Sequence, residues 1–109
     1  MKLKLIAALA IAAAPLFASA ASGNAEAGAK KAESCKACHG EGGTKPIQPD
    51  YPVIGGQHYD YLVAALSQYK AGKRKNPIMS GQAAALKAED IRDLAAYFAK
   101  QPSELKTKY

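Results

Sequence analysis

The sequence Cys35-Lys36-Ala37-Cys38-His39 is a C-x-x-C-H motif, and it decides how the rest of the chain is interpreted. The pattern is typical of covalent haem attachment, because two thiols at this spacing can each add to one vinyl group of a porphyrin. The imidazole that follows directly can then bind the iron. We therefore predict that Cys35 and Cys38 form the thioether bonds of one haem c and that His39 is an axial iron ligand.

Other chemistries also use a C-x-x-C pair. A thioredoxin-like redox site requires a βαβ setting, and no period-two alternation of apolar residues surrounds the motif. A zinc site could draw on Cys35, Cys38, His39 and His58, but adjacent residues fit poorly around one small tetrahedral ion. A disulfide within the motif would close almost no loop. Haem attachment is therefore the favoured interpretation.

The first 20 residues have the composition of a secretory signal peptide. Two lysines precede an unbroken apolar run of ten residues at 5–14, and Ala18-Ser19-Ala20 supplies a cleavage site of the A-x-A type. Such a run has about half the length that spans a bilayer. We expect cleavage after residue 20 (residue 21 fits nearly as well), a periplasmic location and no transmembrane anchor.

The expected mature chain, residues 21–109, is short and mildly basic. Without the two lysines of the signal peptide it has 13 Lys and Arg against 9 Asp and Glu, a net charge of +4 that does not indicate nucleic-acid binding. Both cysteines belong to the motif, so no disulfide framework is available. A domain of this size buries a modest core. We therefore expect the haem to supply part of it.

The remaining pattern predicts an all-α fold, because apolar residues recur at helical spacing in 59–69 and 91–98. Asn24 is a suitable N-cap and Gly72 a suitable residue just beyond a helix end. Gly28, inside the first helix, indicates a close crossing with a bulkier helix. We predict helices at about 25–34, about 58–70 and from near 88 until Pro102 stops the last one, with loops at 40–56 and 73–81.

The sixth iron ligand decides between an electron carrier and a gas-binding or catalytic haem. Met79 is the one methionine of the mature chain and lies in the predicted loop, 40 residues beyond His39. A lone methionine can also fill a gap in a core, but its position in a loop favours ligation. His58 is the alternative ligand, although a place at the start of a helix explains it equally simply. We predict Met79.

Several stretches of the mature chain match one known family in the right order, and they cover nearly all of it. They are Gly28 seven residues before Cys35, CKACHG at 35–40, YPVIGGQ at 51–57, Tyr61-Leu62, GKRKNPIM at 72–79 and EDIRDLAAYF at 89–98. The chain therefore resembles the small class I cytochromes c of the bacterial c553/c4 type. Cytochromes c4 carry two such domains, whereas this chain carries one.

The resemblance implies a fold of three to four helices and loops around one haem c. It implies that Cys35 and Cys38 carry the thioethers and that His39 and Met79 are the axial ligands. The carbonyl of Pro52 is expected to accept the other imidazole N–H. The first and last helices are expected to cross where Gly28 meets Tyr97.

Two positions depart from the family pattern. Lys87 stands where Ser or Thr often caps the last helix, so we expect that helix to begin with a frayed turn. Gly55 stands where Ala is common, so we expect a slightly looser loop.

The resemblance also implies a function, that of a periplasmic one-electron carrier without enzymatic activity. Its expected partners are redox proteins such as a membrane quinol–cytochrome c reductase and a terminal oxidase or reductase. The alternative is a haem-based gas sensor or small haem enzyme with a labile sixth ligand.

Four cations precede Met79 within six positions: Lys70, Lys73, Arg74 and Lys75. Cations at a helix end suit the helix dipole, and this alone could explain the run. The alternative is a docking surface for an acidic partner, close to the haem face that Met79 would cap. Both interpretations remain open from the sequence.

Overall fold

The computed structural model describes residues 23–102 and Leu105, and this part of the chain is helical with no strand, as predicted. The predicted signal peptide lies outside the described residues. None of the described helices is long and apolar enough to cross a membrane. The helices are α1 (Ala25–Lys31), α2 (Glu33–His39), α3 (Tyr59–Lys70), α4 (Pro77–Ala84) and α5 (Ala88–Ala99), with a 3₁₀ turn at Glu41–Gly43.

The first predicted helix begins correctly but is in fact two helices. The side chain of Asn24 accepts a hydrogen bond from the backbone N–H of Ala27 at 3.0 Å, as expected of an N-cap. The single helix predicted at 25–34 is wrong, because α1 and α2 meet at Ala32 and α2 continues to His39. The C-x-x-C-H motif is therefore itself helical.

Helix α1 crosses α5 closely at Gly28, as predicted. A Cβ atom at this position would lie 2.0 Å from the carbonyl oxygen of Asp93 and 2.8 Å from the Cβ of Tyr97, so a larger residue does not fit. The predicted contact of Gly28 with Tyr97 is therefore present. Around this crossing lies the buried apolar core, which consists of Ala32, Leu62, Leu94, Ala95 and Phe98.

Helix α3 ends in a Schellman motif, in which two backbone N–H groups return to the last turn. The N–H of Lys73 donates to the carbonyl of Gln68 at 2.9 Å, and that of Gly72 donates to Tyr69 at 3.2 Å. Gly72 has a φ of +75°, the left-handed conformation that this motif requires. The predicted helix end is confirmed, and the chain turns sharply after α3.

Helix α4 contradicts the loop predicted at 73–81. The side-chain oxygen of Asn76 accepts hydrogen bonds from the backbone N–H groups of Ile78 and Met79, both at 3.1 Å, and Pro77 is the first helical residue. An Asn cap followed by Pro is a strong helix start. It produces a helix in a stretch whose apolar residues show little helical periodicity.

Helix α5 begins after Lys87 without a hydrogen bond to an N-cap side chain, but its first turn is supported in another way. Asp90 accepts a hydrogen bond from the backbone N–H of Lys87 at 2.8 Å. The same carboxylate lies 2.8 Å from the Nζ of Lys31. The expectation of a frayed turn is therefore not supported, because Asp90 supplies the N3 half of a capping box and ties the backbone of Lys87 to the first turn.

Lys31 of α1 joins two carboxylates of α5, since its Nζ also lies 2.7 Å from Asp93. Asp93 is buried, with 4% of its surface exposed, and its other oxygen accepts the backbone N–H of Asn24 at 2.7 Å. The hydrogen bond from Lys31 is the main reason that the pKa of Asp93 is lowered, and the Asn24 N–H lowers it further. The folded state thus favours the ionised carboxylate.

Replacing Asp93 by Asn should remove this preference. We expect Asp93→Asn to lower the free energy of unfolding of the haem-loaded protein by about 1.5–3 kcal/mol at pH 7, measured with guanidinium chloride. Because the folded pKa of Asp93 lies below its unfolded value, its contribution is complete well above about pH 4 and is lost as the pH falls through the folded pKa. The difference between the two proteins should therefore shrink below about pH 4.

The matched control is Glu33→Gln, since the Glu33 side chain is 70% exposed in its surface pair with Lys36. We expect this substitution to leave the free energy of unfolding nearly unchanged. A difference between wild type and Asp93→Asn that stays constant down to pH 3 would contradict the assigned role of the carboxylate.

Candidate haem site

Helix α2 carries three predicted donors on one side. Cys35, Cys38 and His39 occupy positions i, i+3 and i+4, which are neighbours on a helix surface. Both cysteines are free and half-buried, and Cys35 packs against the core. Burial is the main cause that raises the pKa of the Cys35 thiol. A thiol with a raised pKa is a poor nucleophile, which is unlike the reactive cysteine of a thioredoxin-like pair.

His39 is buried, with 6% of its surface exposed, and is held in one orientation. Its Nδ1 donates a hydrogen bond to the carbonyl oxygen of Pro52 at 2.9 Å. Because a carbonyl only accepts, Nδ1 carries the proton and Nε2 is left with a lone pair. The ring of Tyr51 lies beside the imidazole, with the centroids 6.4 Å apart. The imidazole therefore has the tautomer that an iron ligand needs.

The loop that supplies the Pro52 carbonyl is attached to two parts of the fold directly after this residue. The carbonyl of Gly43 accepts the backbone N–H groups of residues 54 and 55, each at 2.9 Å. The N–H of Gly56 donates to the carbonyl of Phe98 in α5 at 2.8 Å. These bonds fix the acceptor of the imidazole relative to α5.

Gly55 was expected to loosen this loop, and the structure shows a tight contact instead. A Cβ atom at Gly55 would lie 2.3 Å from the carbonyl oxygen of Gly42 and 2.7 Å from the side chain of Thr44. The glycine therefore permits a close approach of two chain segments.

Met79 is the third residue of α4, and its backbone N–H is one of the two held by Asn76. Its side chain is half-buried, and it lies near His39. His58, the alternative ligand, is exposed at the start of α3. The arrangement favours Met79, because an exposed imidazole at a helix start faces water. Sequence reasoning missed Asn76, although Asn followed by Pro is a recognised start signal.

The donor atoms suit a haem better than a bare ion. Within 23–102 and at 105, no three His, Cys, Asp or Glu side chains gather as a metal site, so the zinc interpretation has no support. Ile47 and Ile78 are 64% and 56% exposed. The N–H of Ile47 donates to the carbonyl of Cys38 at 3.1 Å, and Ile78 precedes Met79. Thiols, imidazole and thioether bordered by apolar side chains fit haem c.

The four cations before Met79 divide into two that bind oxygens of the fold and two that are exposed. Lys70 donates to two carbonyls at and just beyond the end of α4, and Arg74 donates to the Tyr61 hydroxyl at 3.2 and 3.3 Å. Lys73 and Lys75 are exposed and form no ion pair with the rest of the described chain. Half of the cluster therefore serves local structure. The contact between Arg74 and Tyr61 could not be predicted from the sequence, because the two residues are 13 positions apart and belong to no known motif.

A groove of about 430 Å³ lies elsewhere, between α3 and α5. It is open and largely apolar, and none of the predicted haem ligands lines it. It belongs to the packing of these two helices and not to the haem site. Its lining residues are Val63, Ser67, Lys70, Ala71, Ala88, Ile91 and Arg92.

Comparison with known proteins gives consistent matches. The family model described as Cytochrome c matches residues 25–101. Cytochrome c4 of Pseudomonas aeruginosa is 43% identical over 81 residues, covering 74% of this chain and 40% of that protein. Cytochrome c-554(548) of Halomonas halodenitrificans is 40% identical over 82 residues, covering 72% of this chain and 98% of that protein.

A solved structure agrees with these relatives. Reduced recombinant cytochrome c4 from Pseudomonas stutzeri superposes with a TM-score of 0.72 at 36% identity, covering 77% of this chain and 48% of that one. This chain thus spans less than half of the cytochromes c4 and nearly all of cytochrome c-554(548). The family match includes the C-x-x-C-H motif, and the class I cytochrome c fold is confirmed. The chain belongs to the cytochrome c family, and its cofactor is a covalent haem c.

Proposed function

We propose that this chain is a one-electron carrier in which the iron alternates between Fe(III) and Fe(II), with His39 and Met79 as axial ligands and Cys35 and Cys38 as thioethers. The observation that carries the proposal is the hydrogen bond from His39 Nδ1 to Pro52 at 2.9 Å, which leaves Nε2 available. Met79 near His39 supports it. The bound haem supplies the redox chemistry, and the chain supplies ligands, orientation and shielding from water.

Both proposed ligands are carried by helices, His39 at the end of α2 and Met79 in the first turn of α4, so both would be available to the iron in either oxidation state. The Pro52 carbonyl fixes the ring of His39 and increases the basicity of Nε2. A thioether from Met79 raises the reduction potential relative to a second imidazole. If His39 and Met79 both bind the iron, no position would remain for a substrate, and the proposed role is therefore that of a carrier and not of an enzyme.

The other candidate is a haem-based gas sensor or small haem enzyme, which requires an open or labile sixth position. The placement of Met79 near His39 argues against this candidate. The discriminating measurement is the spectrum of the reduced protein under carbon monoxide. An electron carrier should show little change, whereas a sensor or enzyme should convert to the carbon monoxide complex.

The proposed location is the periplasm. In this proposal residues 1–20 are a cleaved signal peptide and residues 21–109 are the mature cytochrome c domain. The lysines, the apolar run and the A-x-A site support export. The mass of the purified mature protein tests the cleavage point. The proposed donor is a membrane quinol–cytochrome c reductase, and the proposed acceptor is a terminal oxidase or reductase.

Lys73 and Lys75 are the residues that we assign to docking. Both are exposed, and they lie just before the helix that carries Met79. Two cations with no ion pair among the described residues, beside the proposed haem face, would steer an acidic partner towards it. Lys70 and Arg74 add their charges to this surface but are less free to contact a partner, because carbonyl and hydroxyl oxygens of the fold hold their cationic groups.

The double substitution Cys35→Ser with Cys38→Ser should abolish covalent haem and leave a largely disordered chain. Leu94 is the one large side chain in the described residues that is fully buried, so the polypeptide core alone is small. A pyridine haemochrome assay should detect no attached haem, and far-ultraviolet circular dichroism should show no cooperative melting. Native-like cooperative melting of the haem-free protein would contradict this prediction.

Substitution of Met79 should change the iron spectrum and potential. Met79→His should keep six ligands but lower the reduction potential by on the order of 0.1 V, because imidazole favours the ferric state. Met79→Ala should remove the weak far-red absorption of sulfur bound to ferric haem. The control is Ile78→Ala, which changes an exposed neighbour and should keep the band. If Met79→Ala retains the band and the midpoint, Met79 is not the ligand.

Charge reversal at Lys73 and Lys75 should slow electron transfer to the physiological acceptor about tenfold at 0.01 M ionic strength, with little change in midpoint potential. The wild-type rate should fall as ionic strength rises to 0.1 M, since the Debye length shrinks from about 30 Å to about 10 Å. The control, Lys30→Glu with Lys100→Glu, changes the net charge equally and should have a smaller effect. A salt-independent wild-type rate with no effect of the substitutions would rule out steering.

A further inference from the structure

The helix that carries Met79 is attached to the fold mainly through α3. Its single buried residue is Ala83, and its extensive contacts are with α3. The position of Met79 therefore depends on the short connection between these two helices, residues 71–76.

Arg74 holds this connection against α3 with its side chain. Both terminal nitrogens of its guanidinium donate to the hydroxyl of Tyr61, at 3.2 and 3.3 Å. The Cζ atom lies 5.1 Å from the ring centroid of Tyr69 and 5.8 Å from that of Tyr61. Both distances are in the range of cation–π attraction. Arg74 is half-buried by these contacts.

The backbone of Arg74 is fixed as well. Its N–H lies 3.3 Å from the carbonyl of Gln68, which also accepts the N–H of Lys73 in the Schellman motif. Two residues further on, Asn76 accepts the backbone N–H groups of Ile78 and Met79. Arg74 thus fixes the chain immediately before the residue that caps the helix of Met79.

We propose that Arg74 is a positioning residue for Met79: its contacts with Tyr61 and Tyr69 hold the connection in the conformation that presents the thioether to the iron. This rests on the proposed function in that Met79 is taken as the sixth ligand. The planar guanidinium is needed, since an ammonium group cannot donate two N–H groups to one hydroxyl while lying over two rings. Arg74 acts through the backbone and does not touch the haem ligand itself.

The test measures how readily an added ligand replaces Met79. Imidazole is titrated into the ferric haem-loaded protein, and loss of the far-red absorption reports displacement of the thioether. Loss of the two cation–π contacts and of the hydrogen bonds to Tyr61 should let Arg74→Gln bind imidazole about tenfold more tightly, which corresponds to about 1.4 kcal/mol. Arg74→Lys and Tyr61→Phe should each show part of this increase.

Two controls separate positioning from charge and from general stability. Lys73→Gln removes the same charge from the adjacent exposed residue, and its imidazole affinity should stay within about twofold of wild type. Asp93→Asn weakens the crossing of α1 and α5 on the His39 side and does not touch the connection before Met79, so its imidazole affinity should also stay within about twofold of wild type. A role of Arg74 in stability alone would lower the melting temperature without changing the imidazole affinity.

The proposal is overturned if Arg74→Gln binds imidazole within twofold of wild type, or if Lys73→Gln shows the same increase. If Arg74→Gln does not fold, Arg74→Lys and Tyr61→Phe decide the question, and wild-type affinity in both overturns it. Failure of the proposed ligation is seen separately, because Met79→Ala would then keep the far-red band whatever the Arg74 variants do.

Discussion

The backbone contact between α1 and α5 at Gly28 fixes where the haem motif lies. The carbonyl of Asp93 occupies the space that a side chain at Gly28 would need, so the two helices approach closely. Helix α2 follows α1 after the single fully buried junction residue Ala32. The loop that carries Pro52 is bonded to the same α5. His39 and the oxygen that orients it are therefore both positioned by one helix.

The two sides of the site are held by different kinds of interaction. On the side of His39, the acceptor loop is tied by backbone hydrogen bonds to the segment after the motif and to α5. On the side of Met79, a helix of eight residues lies on α3, and side chains such as Lys70 and Arg74 hold its two ends. Segments with few buried contacts open more easily than a packed core. The Met79 side is thus the more adaptable half of the site.

Sequence reasoning succeeded where the information was local. Spacing and single residues were enough to predict the motif, the helix at 58–70 and the helix end at Gly72. The observed helix α3 begins within one residue of the predicted start, and Gly72 has the expected left-handed conformation. The loop predicted at 73–81 was wrong because a cap at Asn76 outweighed weak apolar periodicity. The frayed start expected at Lys87 is not supported, because Asp90 binds the backbone N–H of Lys87 and is itself held by Lys31 of another helix. Such contacts depend on the tertiary fold and have no local pattern.

The partners of the basic side chains also could not be predicted from the sequence. Lys36 in the motif pairs with Glu33 and Glu41, whereas Lys70 binds carbonyl oxygens and Arg74 binds tyrosines. A run of cations in the sequence therefore does not correspond to one basic surface. A cation held against a carbonyl or hydroxyl oxygen keeps its charge and still adds to the field that a partner meets, but it is not free to reach the partner's carboxylates. Direct contacts with an acidic partner in this region are therefore expected chiefly from the two exposed lysines, Lys73 and Lys75, which flank Arg74 and precede Met79.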